Sequence, residues 1–330
     1  LTVSTRRARQ FAHQVSQTLA DEAVDLVHSE VVAAAVRYEH DPLAAFIGDL
    51  ADAQDAAFQL LEAHPRPDQA THLYFLAGVA GGLLAQAAHD LGQPHMGAVQ
   101  AHTAILCAER IGHRGLQAWI RFIQSRSALW QDSPRPHESL RLAQQGVALS
   151  PESTMSVMLA LREAHVRAAL GQHAEARAAL ARAVEAREHV RPDDLDELGG
   201  SCTCGVTRQL DSTAGVYVRM PGAEDDAERF ALRTLDALGP DRSGRLYLGS
   251  SADLALVRAR RGEVDGAGEA FEPLLELPVA HRTTYVRSLA MRVHSALGVG
   301  AGAASPRSAR LQEQIEGFSA AGAAGSGVLG

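Results

Sequence analysis

The sequence predicts an all-α fold assembled from stacked helix-turn-helix units, and three observations carry that expectation. Helix-stopping residues recur at a near-constant interval. Gly92 in DLGQPH, the turn Asp132-Ser133-Pro134, Gly171, Pro221-Gly222 and Gly262 in RRGEVDGA follow one another at about 40 residues. The longest gap, about 51, holds the loop RPDDLDELGGSC. Between the stops, apolar residues repeat with the helical period of about 3.6. Finally, the chain is 46% hydrophobic but only 5% aromatic, so its core is built from Ala, Leu and Val rather than from rings.

Taken in order, residues 5 to 39 and 42 to 63 read as leading helices, separated by HDP and closed by HPRP. The first helices of the pairs fall at about 68–91, 114–131, 152–170, 205–220 and 245–261. Their second helices fall at about 95–111, 135–149, 173–189, 224–238 and 264–275, and a last helix at about 279–297 covers the open end. Three segments result: 1–66, a helical segment packing on the repeats; 67–298, the repeats with their capping helix; and 299–330, a C-terminal helix and tail. The Gly/Ala-rich end AAGAAGSGVLG is expected to be disordered.

The second helices share a pattern. Five residues after Gly171, Gly222 and Gly262 stand Ala176, Ala227 and Ala267; eight after stand Ala179, Phe230 and Ala270; nine after stand Leu180, Ala231 and Phe271. Segment 169–186, ALGQHAEARAALARAVEA, has too little apolar surface to be stable alone. Its alanines instead let neighbouring helices approach closely, because interaxial distance follows the side chains at the contact. Stacking then makes the core continuous from one unit to the next.

Composition narrows function. All 31 basic residues are Arg, which points to a high-GC genome and excludes chemistry that needs Lys, including the Walker-type phosphate loop. A net charge of −8 argues against broad nucleic-acid binding. The one compact basic run, STRRARQ at 4–10, reads as a solvated helix start. Three cysteines make no disulfide framework, which fits a cytoplasmic protein. Cys107 reads as a small core residue, and the pair Cys202 and Cys204 lacks the second pair that a metal site needs. No apolar run reaches the roughly 18 residues that span a bilayer, and no apolar core of a signal peptide follows the Arg-rich start. His95 and His102 lie seven apart without a third ligand, so neither metal nor cofactor is expected. Neither a G-x-S-x-G elbow nor H-E-x-x-H occurs, so no enzyme activity is expected. GVAGG at 78–82 lies inside a helical pattern, where glycine serves close helix contact.

LYFLAGVAGGLLAQAAHDLGQP, RPDDLDELGG and LALVRARRGEVDGAGEAFEPLLELP together resemble the C-terminal tetratricopeptide-like sensor region of XRE-family helix-turn-helix transcriptional regulators from high-GC Gram-positive bacteria. The resemblance covers about residues 5–298 and implies a right-handed α-solenoid that senses a ligand or peptide and dimerises. No DNA-binding helix-turn-helix is read ahead of the repeats in this sequence, and the expectation is either a separately encoded sensor or one that has lost that domain. No direct nucleic-acid binding by this chain is expected, its state being communicated to a DNA-binding partner.

In a solenoid the first helices line the concave face. Gln117, Arg121 and Gln124 share one face in HRGLQAWIRFIQSRSALW; Met158, Arg162 and His165 form the equivalent stripe in the next unit, and Arg208, Asp211 and Ser212 in the one after. Tyr217 is the aromatic residue of that last stretch. Arg121, Arg162 and Arg208 would attract a carboxylate, such as a peptide C-terminus, through charge-assisted hydrogen bonds. Trp119, Trp130, Tyr74 and Phe75 read as packing residues. The expected role is a regulatory sensor or interaction module that binds a peptide, small molecule or partner protein in the groove. The alternatives are a passive protein scaffold and an enzyme built on an α-solenoid.

Overall fold

The computed structural model describes residues 5–9, 11, 20–129, 133–150, 152–240, 244–299 and 302–325, without the side chains of 20 and 321–325. Trp130, Asp132 and residues 326–330 lie outside the described residues. Among the described residues all regular structure is helical. The helices are α1 (Ala20–Arg37), α2 (Ile47–Glu62), α3 (Pro67–Asp90), α4 (Pro94–Arg110), α5 (Arg114–Leu129), α6 (Pro136–Leu149), α7 (Thr154–Ala169) and α8 (His173–Glu188). After the short α9 (Asp194–Glu197) come α10 (Val206–Tyr217), α11 (Glu224–Leu238), α12 (Arg245–Arg261), α13 (Val264–Leu275), α14 (Thr284–Val299) and α15 (Pro306–Gly325). None of them is long and apolar enough to cross a membrane.

The glycine punctuation works as a backbone device. At Gly171 (φ 74°) the N–H of Gln172 bonds the carbonyl of Arg167 while the N–H of Gly171 bonds that of Ala168. Gly262 (φ 80°) does the same with Glu263, Arg258 and Ala259. This paired closure needs a left-handed residue, which glycine supplies without steric cost. Gly92 and Gly222 hold the same conformation.

Two departures from the expected boundaries have local causes. The last pair's capping helix begins at Thr284 rather than near 279, because Pro278 is followed by a separate 3-10 turn, Val279–His281. The tail's alanines extend α15 through 320–325, where disorder was expected; alanine has the strongest helix propensity of any residue.

The chain divides into two compact units. The first holds Leu1–His89, Gln93–Leu159 and Ala186–Thr203; the second holds Asp90–Gly92, Ala160–Glu185 and Cys204–Gly330. In the first unit α1 packs on α2, α4 on α5 and α5 on α6. In the second, α10 to α13 each pack on the next helix, as α14 does on α15, and α12 also packs on α10 and α14.

Small residues set the spacing in both. In the first unit, a Cβ at Gly82 would stand 2.2 Å from Trp119 Cζ3 and 2.8 Å from Ile120 Cδ1, both side chains being fully buried. Gly78 and Gly81 of the same segment lie against Leu116 and Ala104. In the second unit, Ala176, Ala227 and Ala267, the equivalent positions of the repeat pattern, are all fully buried. Around Phe271, Ala227 and Ala267 join a core of Leu248, Leu274, Val293 and Ile315.

The loop RPDDLDELGGSC belongs to the first unit. Asp193 and Asp196 cap α9 reciprocally. The following turn docks on α1, where a Cβ at Gly200 would fall 2.1 Å from the carbonyl oxygen of Ala35. Beside it, Ser201 Oγ donates to Glu39 Oε1 (3.0 Å) and accepts from Gln86 Nε2 (3.1 Å).

Gly82→Ala is expected to destabilise the protein by about 1–3 kcal/mol through overpacking, in spite of alanine's better helix propensity. Gly317→Ala, on an exposed stretch of α15 with no atom within 4 Å of the new Cβ, should instead stabilise by up to about 1 kcal/mol. Denaturant unfolding of the two variants checks both signs.

Candidate functional site

The second unit gathers a polar cluster from α7, α10, α12 and α14. Helical spacing puts Asp211 and Gly215 on one face of α10, with Arg219 one turn further on, and Gly249 and Asp253 on one face of α12. Glycine makes the approach possible at both levels. A Cβ at Gly215 would lie 2.9 Å from His165 Cε1 and 3.3 Å from Asp253 Oδ2, so the imidazole and the carboxylate share the space above that glycine. A Cβ at Gly249 would lie 3.2 Å from Asp211 Oδ1 and 3.3 Å from the Tyr285 hydroxyl.

The side chains are held in place. Arg292 Nη2 pairs with Asp253 Oδ1 at 3.4 Å, Arg219 Nη1 donates to the Gly215 carbonyl at 2.7 Å, and Ser250 Oγ donates to Asp211 Oδ1 at 2.8 Å. At the edge of the cluster Arg245 pairs with the fully buried Asp90 at 2.9 Å and covers the Tyr285 ring at 4.8 Å. Arg260 donates to the Val218 carbonyl.

Positive charge dominates this place. Burial pushes the His165 pKa well below its ordinary value, and Arg219, Arg162 and Arg292 push it further down, so the ring is neutral near pH 7. Burial and the neighbouring Arg292 bring even the Arg219 guanidinium down to about 9, against the opposing pull of Asp253. Arg260 is lowered by burial and by Arg292 as well. Arg162 itself is only 6% exposed. Guanidinium groups crowded together with little water are stabilised by an arriving anion, and their planar forks suit a carboxylate or phosphate.

The sequence-derived residues fall in several places. Arg162, His165 and Asp211 belong to the cluster. Met158, on the same helix as Arg162, is buried in the core of the first unit. Arg208 is half-exposed on α10. Tyr217 stacks on Phe230 of α11, with ring centroids 5.6 Å apart and planes at 20°. Gln117 donates to the Ala108 carbonyl of α4 at 3.4 Å. Arg121 and Gln124 do come together, in the first unit, with Arg121 Nη1 donating to Gln124 Oε1 at 2.8 Å. Both line a cavity of about 270 Å³ with Ser127, Arg135, Glu138 and Arg141, and the Nε of Arg121 is buried there without a hydrogen-bond acceptor.

No family model, curated protein or solved structure matches this chain. The site's chemistry therefore rests on its own geometry.

Sequence reasoning missed Arg219, Asp253, Tyr285 and Arg292. Arg219 lies eight residues beyond Asp211, on the same helical face, and that periodicity was a usable signal. Asp253 and Arg292 stand on helices that only the packing brings together.

A histidine whose pKa is depressed by folding binds its proton more readily in the unfolded chain, so the unfolded state gains protons as pH falls below about 6.5 and stability is lost from that point downward. The wild-type melting temperature should therefore drop more steeply between pH 7.5 and 5.5 than that of His165→Gln, a comparison that thermal melts across this range will check.

Proposed function

We propose that this chain is a right-handed α-solenoid of tetratricopeptide-like repeats and serves as the sensor region of a transcriptional regulator of XRE type. It takes an anionic ligand, such as the C-terminal carboxylate of a short peptide, on the arginine cluster of its second unit. The observation that carries this reading is the convergence of Arg162, Arg219 and Arg292 around His165 and Asp253. One histidine there feels three guanidinium groups. The serial packing from α10 to α15 supports the solenoid, since each pair leans on the next. Ligand binding biases the repeats between two arrangements through its difference in affinity for them, and a DNA-binding partner reads the outcome.

A passive scaffold is the second reading. It is favoured by the exposed apolar row Met96, Val99 and Leu106 along α4.

Titration calorimetry of the full chain with short peptides carrying free or amidated C-termini separates the two. The free carboxylate should bind, amidation should weaken binding, and Arg162→Gln should lower affinity by about 10–100-fold, the loss expected for one charge-assisted hydrogen bond. Equal affinity for both peptide forms, or an unchanged Arg162→Gln, overturns the anion-sensing reading.

A further inference from the structure

The first unit holds a second polar place, remote in sequence from the arginine stripes. His28 of α1 and His72 of α3 bring Nδ1 and Nε2 to 3.2 Å of each other. Their ring planes are 20° apart and their centroids 5.2 Å apart, so the nitrogens are the nearest parts of the two rings. The pair lines a cavity of about 380 Å³ together with Asp68, Phe75, His113 and Asp194.

We propose that this cavity binds a divalent transition-metal ion of the Zn²⁺ type, ligated by His28 Nδ1, His72 Nε2 and the Asp194 carboxylate, with water completing the shell. Two nitrogens bound at about 2.0–2.1 Å to a tetrahedral ion stand roughly 3.3 Å apart, which is the separation already present. Among the described residues no three ligating groups yet converge on one point. The proposed third ligand must therefore move toward the histidine pair from the cavity lining. Asp194 qualifies: it lines the cavity and is 79% exposed.

His113 is a positioning residue rather than a ligand. Its Nδ1 accepts the Leu116 backbone N–H at 2.9 Å, so in the neutral ring the proton sits on Nε2, which faces Asp194 Oδ2 at 4.0 Å. In the metal-bound state that N–H would hold the carboxylate from outside, the usual role of an outer-shell partner. Phe75 closes the apolar side, packed against His72 (6.4 Å between centroids) and His113 (5.0 Å). This site is independent of the arginine cluster.

Zn²⁺ titration of the full chain by calorimetry, with Co²⁺ absorption as a second readout, tests the proposal. One saturable site with nitrogen and oxygen ligands is expected. His28→Gln and His72→Gln should each weaken it by at least about 100-fold, and Asp194→Asn and His113→Phe by about 10–100-fold. All variants should keep the wild-type circular dichroism spectrum, and His95→Gln should bind as wild type. The proposal is overturned by absence of saturable binding, by binding that survives in folded His28→Gln and His72→Gln, or by a thiolate charge-transfer band placing the ion on a cysteine.

Discussion

Helix spacing is the constraint on which the rest of this molecule depends. With few rings and no long aliphatic run, burial comes from many close approaches, each made possible by Gly or Ala at the contact. Gly82 under Trp119 and Ile120 is such a contact in the first unit, and the alanines that follow each helix stop repeat the device in the second. Dispersion between closely packed atoms is small per pair and large in sum, so a core of this kind depends on distance more than on residue size. The same spacing shapes the chemistry: His165 and Asp253 meet only because Gly215 carries no side chain between them.

That meeting has an electrostatic cost. Holding guanidinium groups near one another with reduced hydration is unfavourable, and the lowered affinity of Arg219 for its own proton records it. Asp253 offsets part of the repulsion through Arg292. The contrast with Glu228 is instructive: burial alone would raise its pKa, but bonds from Arg261 and Arg258 outweigh that and hold it below the ordinary carboxylate range, giving an ion-pair network that is satisfied by itself. The arginine cluster differs in that its own guanidinium groups lower one another's proton affinity.

Much of the helical layout was legible because its signals are local. A glycine stop, a proline just after it and a 3.6-residue stripe each act over a few residues, and Gly92, Gly171, Gly222 and Gly262 all hold the left-handed conformation their positions required. The burial of Ala176, Ala227 and Ala267 was legible through repetition. The sites were only partly so. Arg162, His165 and Asp211 were found by stripe, whereas Arg292 needed the packing of α14 on α12. His28 and His72 are separated by 44 residues, one before the repeats and one on their first helix, and no periodic rule links them. Spacing along the chain identified His95 and His102 as the pair to consider, but only the packing brings His28 and His72 to each other.

The seat of the Gly200 turn against α1 bears on how the protein is made. Glu39 finds its hydroxyl partner 162 residues downstream, and Gln86 finds the same hydroxyl 115 residues on. A chain emerging from the ribosome in order would form α1 to α6 with the Ala35 carbonyl and the Glu39 carboxylate still facing water, waiting for a segment not yet synthesised. Long-range closure of this kind is slow relative to helix formation. Within the first unit α1 is thus sealed only by the last segment to join it, long after its own helix has formed.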